Sequence, residues 1–157
     1  MRKDAGFTLI EIVISVFILM LLVMLAVPSL SGVAADRRLR RSLDTFNGLV
    51  HEAQKRAMSE HRAYLLVWTE KAVELRPEAQ LKTDDAGPVN ELKVGHGEGL
   101  TITLTSALKK EVPAEWIFWP SGSCEPANIS YKGKDGTWTA TYSPLTAQPE
   151  VTQYAAY

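Results

Sequence analysis

Apolar residues are spread very unevenly along this chain. From Phe7 to Val27 the only polar positions are Thr8, Glu11 and Ser15. That run is 21 residues long, and a helix of about 20 residues spans a hydrocarbon core of ~30 Å. The run therefore predicts a membrane-spanning helix. Beyond it the pattern thins to a stripe. Leu39, Leu43, Phe46, Val50, Ala53 and Ala57 recur at spacings of four and three, the signature of one apolar helix face. Arg40 with Asp44, and Glu52 with Arg56, are predicted i,i+4 ion pairs on the exposed side. The two halves read as one helix from Phe7 to about His61, roughly 80 Å long at 1.5 Å per residue. Pro28 lies inside it and is expected to kink or locally open it. Gly32 weakens the same stretch.

After Arg62 the period changes from helical to extended. Tyr64–Trp68 and Ala72–Leu75 flank the polar Thr69-Glu70-Lys71, which reads as a hairpin. Residues 77–99 are polar and rich in Gly, Pro and Asp, and read as a long loop. Leu100–Thr105 alternates strictly between apolar and polar. Trp116–Trp119 reads as a short aromatic strand, ended by Pro120-Ser121-Gly122. Asn128–Tyr131 and Thr137–Tyr142 flank a tight-turn signal, Asp135-Gly136. The tail from Ser143 is broken by prolines and reads as loosely ordered. One amphipathic helix followed by about six strands predicts an α+β domain, with the stripe packed on one sheet face.

Charge and composition narrow the function. The formal net charge is −1 and the sequence pI about 6.3, so no global field draws the protein to nucleic acid. The tail Gln148–Gln153 is not basic either, and no nucleic-acid partner is expected. Cys124 is the one cysteine. It reads as a small buried filler, since a reactive thiol needs an activating neighbour that the sequence does not supply. His51, His61 and His96 show no metal-ligand spacing. Asp84-Asp85 and Lys134-Asp135-Gly136 fit turn chemistry better than calcium binding, because the EF-hand pattern is absent. Trp68, Trp116, Trp119 and Trp138 read as core packing ahead of a base-stacking platform. There is no phosphate loop, nucleophile elbow or catalytic acid pair. An enzyme is not expected, nor any cofactor or metal.

The polar exception inside the apolar run carries most of the weight. A lone carboxylate there is expensive, about 2.5–3.5 kcal/mol on insertion scales, and so marks a functional site. A secreted-protein signal peptide fits poorly. Its apolar region is shorter, ~7–15 residues, and is followed by a small-residue cleavage site. Here the small residue, Gly6, precedes the run, and Pro28 obstructs cleavage after it. Arg2 and Lys3 favour a cytoplasmic N-terminus, whereas Arg37, Arg38, Arg40 and Arg41 follow the run on the other side, against the positive-inside tendency. The arginines read as a solvated helix face or as a contact with headgroups or a neighbouring subunit.

The string Gly6-Phe7-Thr8-Leu9-Ile10-Glu11, after the charged leader Met1–Gly6, resembles the class III signal of type IV prepilins and pseudopilins. The resemblance implies cleavage between Gly6 and Phe7 by a prepilin peptidase and N-methylation of Phe7. It implies an α+β, pilin-like fold: a leader at 1–6, a transmembrane half-helix at 7–30, an amphipathic half at 31–62 and a β-rich periplasmic head at 63–157. It gives Glu11, Thr8 and Pro28 roles in filament assembly, with the Glu11 carboxylate meeting the new amine of a neighbouring subunit and the helix loosening at Pro28. The implied partners are other pilin or pseudopilin subunits, the peptidase and an inner-membrane assembly platform. The implied location is the inner membrane, N-terminus cytoplasmic and head periplasmic, and then a periplasmic filament. The strand Phe118-Trp119-Pro120-Ser121-Gly122, followed by a hairpin, is similar to H-type minor pseudopilins of type II secretion, with FimT-like minor pilins next.

Intact-mass analysis of the protein from its native host is expected to find a chain beginning at N-methylated Phe7. A chain beginning at Met1, or downstream of Pro28, contradicts processing between Gly6 and Phe7.

Overall fold

The computed structural model describes residues 8–79, 87–104 and 114–157, with the backbone alone for 25–31. Its spine is α1, a helix of 51 residues from Leu9 to Ser59. Thr8 opens it in an extended conformation, with φ −82° and ψ 149°. At the other end the Glu60 N–H still reaches the Arg56 carbonyl at 2.9 Å. His61 then turns the chain left-handed, with φ 51°, and the helix stops.

Eight strands follow: β1 (Tyr64–Trp68), β2 (Ala72–Pro77), β3 (Asn90–Lys93), β4 (Gly99–Leu104), β5 (Glu115–Phe118), β6 (Ala127–Gly133), β7 (Gly136–Tyr142) and β8 (Pro149–Ala156). They form two antiparallel four-stranded sheets, ordered β3-β2-β1-β5 and β4-β6-β7-β8. The predicted stripe faces both. Leu39, Phe46, Val50, Ala53 and Ala57 are buried, and Leu43 packs partly buried beside them. The first sheet contributes Tyr64, Leu66, Val73, Leu75, Trp116 and Phe118; the second contributes Ile129, Trp138, Ala140 and Tyr142. Phe46 sits where the layers meet. Its ring centroid lies 6.2 Å from Trp68 on β1, 5.9 Å from Trp138 and 6.0 Å from Tyr142 on β7. Tilted and edge-on aromatic contacts at such distances add about 0.5–1.5 kcal/mol each beyond area burial.

Several sequence expectations need correction. The stripe packs on two sheets, and there are eight described strands where about six were expected. The expected loop at 77–99 contains β3, whose residues Asn90-Glu91-Leu92-Lys93 pair with β2 from Leu75↔Asn90 to Ala72↔Lys93. With one apolar residue in four, this edge strand shows no alternation, and its backbone ladder holds it. The tail from Ser143 is ordered as β8, paired with β7 across a bulge at Thr139/Ala140. Almost all of β8 is exposed, so it too lacks a hydrophobic signature. Arg40 pairs with Asp36, at 3.0 Å, in place of Asp44. Asp36 also accepts the Tyr154 hydroxyl at 2.8 Å, and the Arg40 guanidinium lies 5.6 Å from the centre of that ring. The aromatic strand ends at Phe118, which leaves Trp119 exposed. At Pro28, where a kink or local opening is expected, α1 is not interrupted: a proline removes one backbone hydrogen bond, and the neighbouring turns can carry the helix across.

The β6–β7 hairpin closes with Gly133↔Gly136 paired, so its loop residues are Lys134-Asp135. Gly136 has φ +145°, where side chains are strained. A Cβ there would lie 2.1 Å from the Ala155 carbonyl oxygen and 2.7 Å from Leu39 Cδ2. Gly136→Ala is therefore expected to cost about 2–4 kcal/mol, combining backbone strain with overpacking. Urea unfolding of the full chain in detergent, followed by tryptophan fluorescence, measures it. A change below about 0.5 kcal/mol would contradict the geometry.

Candidate functional site

The N-terminal turn of α1 is where the sequence concentrates its chemistry. The Thr8 hydroxyl accepts the Glu11 N–H at 3.4 Å, and the Thr8 carbonyl accepts the N–H groups of Glu11 at 3.1 Å and Ile12 at 3.3 Å. Thr8 is thus the helix N-cap, satisfying one of the donors that a helix start leaves bare. Thr8-Leu9-Ile10-Glu11 has the Thr-x-x-Glu spacing of a capping box. That signal was legible in the sequence, and sequence reasoning missed it. Glu11 stands in the first turn, where the positive end of the helix dipole favours a carboxylate. The Ser15 hydroxyl donates to the Glu11 carbonyl at 2.7 Å, leaving the Glu11 carboxylate free of that contact. Gly6 and Phe7 lie outside the described residues, as does the side chain of Pro28.

Around this turn stands an apolar surface that no described part of the chain covers. Leu9 is 81% exposed and Leu21, the least exposed of the large apolar side chains up to Met24, is still 46% exposed. They point in every direction around the helix, not along one stripe. A helix that is apolar all round is stable when something else surrounds it. Among the described residues no helix is long and apolar enough to cross a membrane. The apolar run of the sequence continues past Met24 into positions whose side chains are not described.

The other half of α1 is fastened to the head by polar contacts on both sheets. Arg38 grips Asp135 on the β6–β7 turn with two hydrogen bonds, 2.9 and 2.7 Å. Trp138 Nε1 donates to Ser42 Oγ at 2.9 Å, and the Tyr142 hydroxyl donates to Asn47 Oδ1. Asn90 Nδ2 on β3 donates to Glu52 at 2.6 Å, and Gln54 Nε2 donates to the Gly122 carbonyl at 2.6 Å. Glu52 also holds Arg56 at 2.9 Å, as its spacing predicts. Of the four arginines after the apolar run, Arg38 and Arg40 serve these contacts, and Arg37 and Arg41 are exposed.

These contacts shift protonation in a consistent direction. Arg38 holds the Asp135 carboxyl below its usual value. The Tyr154 hydroxyl, then Arg40, does the same for Asp36. Asn90, then Arg56, lowers Glu52, and Tyr64, then Arg62, lowers Glu60. Cys124 is buried, and desolvation pushes its thiol up to about 11. It stays protonated near neutral pH and is a core filler, as expected, not a nucleophile. Trp68, Trp116 and Trp138 are buried in the core. Among the described residues, the second half of α1 is packed into the head and the first half is left uncovered.

Comparison with known proteins bears on the N-terminus and on the fold. A family profile described as the prokaryotic N-terminal methylation motif matches residues 1–27. The chain is similar in structure to the type IV minor pilin FimU of Pseudomonas aeruginosa, with TM-score 0.55, 15% identity, and coverage of 76% of this chain and 93% of that one. It is also similar to the minor pseudopilin EpsH of the Vibrio cholerae type 2 secretion system, with TM-score 0.49, 15% identity, and coverage of 75% and 96%. No curated protein matches the chain. The fold is therefore pilin-like: a long N-terminal helix followed by antiparallel sheets. The chain carries at its start the methylation motif of the type IV prepilin family.

Thr8→Ala is expected to destabilise the first turn of α1 by about 0.5–2 kcal/mol, and Thr8→Ser to retain most of the cap. Amide exchange at Glu11 and Ile12 reads this directly. A second expectation concerns acid. Asp36, Glu52, Glu60 and Asp135 all have lowered folded-state values, so their stabilisation is full above the unfolded carboxylate range. It is lost as pH falls below about 4. Thermal melts from pH 7 to pH 2 should show this loss, and Asp135→Asn should flatten part of it. An unchanged acid profile in that variant contradicts the Arg38–Asp135 assignment.

Proposed function

We propose that the chain is a minor subunit of a type IV pilin-like filament, and specifically a minor pseudopilin of the type II secretion kind. One observation carries the reading: a prepilin-type string, Gly6 to Glu11, leads directly into an apolar helix that no other described part of the chain covers. A membrane and a bundle of like helices are the two surroundings that suit such a surface. The subunit waits in the inner membrane by this helix, N-terminus inside. A prepilin peptidase removes Met1–Gly6 and methylates Phe7. The assembly platform then draws the subunit into the filament, where apolar helices bury one another.

Glu11 has a defined part in this scheme. Cleavage creates a cationic amine on Phe7, and in a helical bundle the Glu11 carboxylate of one subunit meets the amine of its neighbour. Pairing offsets the desolvation of both charges, and removing one partner leaves the other buried and bare, at about 3–5 kcal/mol. The pair thus sets the axial register of subunits. Thr8 contributes by capping the turn that carries Glu11, and Pro28 by making the helix easier to loosen on leaving the membrane. A second reading is a type IV minor pilin, brought in by the FimU likeness, which rests on fold. In that case the same chemistry builds a pilus. Deleting the gene decides between them: loss of exoprotein secretion with normal pili supports the first reading, and the reverse supports the second.

Glu11→Ala should leave membrane insertion intact, because it removes a charge from the apolar run. It should reduce recovery of the subunit in sheared filaments at least about tenfold, the equivalent of ~1.4 kcal/mol. Normal incorporation of the variant would overturn the charge-pair mechanism.

A further inference from the structure

The end of the head nearest the bare half of α1 carries more positive charge than its own contacts use. β7 runs along α1 away from that half. Gly136 lies against Leu39, Trp138 Nε1 donates to Ser42 Oγ at 2.9 Å, and the Tyr142 hydroxyl donates to Asn47. The β6–β7 turn, Lys134-Asp135, therefore closes the second sheet at the end that faces the bare half. β8 finishes there too, with the Tyr157 N–H on the Asp135 carbonyl at 3.0 Å.

Four arginines and a lysine gather at this level. Arg38 is paired with Asp135 at 2.7 Å, and Arg40 with Asp36 at 3.0 Å. Those pairs occupy the two carboxylates nearby. Arg37 and Arg41 lie one turn apart on the side of α1 away from the buried Leu39. Both are exposed, and no carboxylate among the described residues pairs with either. Lys134 is exposed at the tip of the turn.

Distance along the helix sets what these cations meet. At 1.5 Å per residue, Arg37 lies about 42 Å and Arg41 about 48 Å from Leu9. A bilayer measures about 40–45 Å with its headgroup layers included. With the first turn of α1 at one surface, Arg37 and Arg41 reach the headgroups of the other.

We infer that Arg37, Arg41 and Lys134 form a docking surface for anionic phospholipid headgroups in the leaflet opposite the N-terminus. Their guanidinium and ammonium groups meet the lipid phosphates. The surface acts in the membrane-bound state proposed above and rests on that reading. It seats the head on the bilayer while the subunit waits. It also gives a use to cations that run against the positive-inside tendency. Departure into a filament gives up these contacts, so anionic lipid holds the subunit back.

The test uses the full chain in vesicles of phosphatidylcholine and phosphatidylglycerol, with a spin-labelled form of each lipid. Electron spin resonance reads the share of each label slowed at the protein surface, and the ratio is the lipid preference. The full chain should favour the anionic lipid about fivefold or more. Arg37→Gln and Arg41→Gln should each lower the preference about two- to five-fold. Lys134→Gln should lower it too, which contact through α1 alone would not do. Lys55→Gln removes the same charge from an exposed site farther along α1 and should change nothing. Salt at ~0.5 M should weaken the preference. Slowed lipid without any preference, or a preference that Lys55→Gln lowers as much as Arg41→Gln, overturns the headgroup surface alone. No slowed lipid with either label overturns it together with the membrane reading. A preference unchanged in the Arg37→Gln, Arg41→Gln double variant, with loss of that variant from filaments, would assign these arginines to a neighbouring subunit and overturn it as well.

Discussion

The head of this protein depends on one apolar stripe that is shared between two sheets. Leu39, Phe46, Val50, Ala53 and Ala57 share one core with residues of both sheets, α1 meeting β1 of the first and β7 of the second, and Phe46 touches aromatic rings from both layers. Neither sheet is large. Four short strands gain independent stability only by burying a face, and α1 supplies the surface for both. The polar contacts follow from that packing. Ser42, Asn47, Glu52 and Gln54 meet Trp138, Tyr142, Asn90 and the Gly122 carbonyl because the stripe has already brought the layers into place.

The same helix carries a second apolar surface that the chain leaves bare, and the contrast between its halves links structure to function. From Ala35 onward α1 is amphipathic and finds its partner within the chain. From Leu9 to Met24 it is apolar on every side and finds none among the described residues. α1 runs from the bare half into the head as one helix, and the head is tied to it by the Arg38–Asp135 and Asp36–Tyr154 hydrogen bonds as well as by the core.

The N-terminal turn shows how one short string can serve two purposes. Thr8 and Glu11 have the spacing of a capping box, and the Thr8 hydroxyl caps the turn. They also stand in the prepilin string, where Glu11 is proposed to meet a neighbour's amine. The two roles are compatible. A carboxylate in the first turn is favoured by the local dipole in the isolated subunit and remains available for a stronger partner on assembly.

The long helix, its stripe, the β1–β2 and β6–β7 hairpins and the prepilin string were all legible in the chain, because each depends on local periodicity or on a short motif. The stripe residues repeat every three or four positions, and the turn at Lys134-Asp135 is marked by its glycine. What the chain did not reveal are the elements held by backbone alone. β3, with Leu92 as its single apolar residue, and β8, exposed along almost all of its length, have no alternation to read; pairing with β2 and β7 makes them strands. The choice of Asp36 over Asp44 for Arg40 was equally invisible, because Tyr154, more than a hundred positions away, selects it. Division into two sheets came only with the tertiary structure. Local sequence sets which face of each element is apolar, and long-range packing decides how those faces are shared.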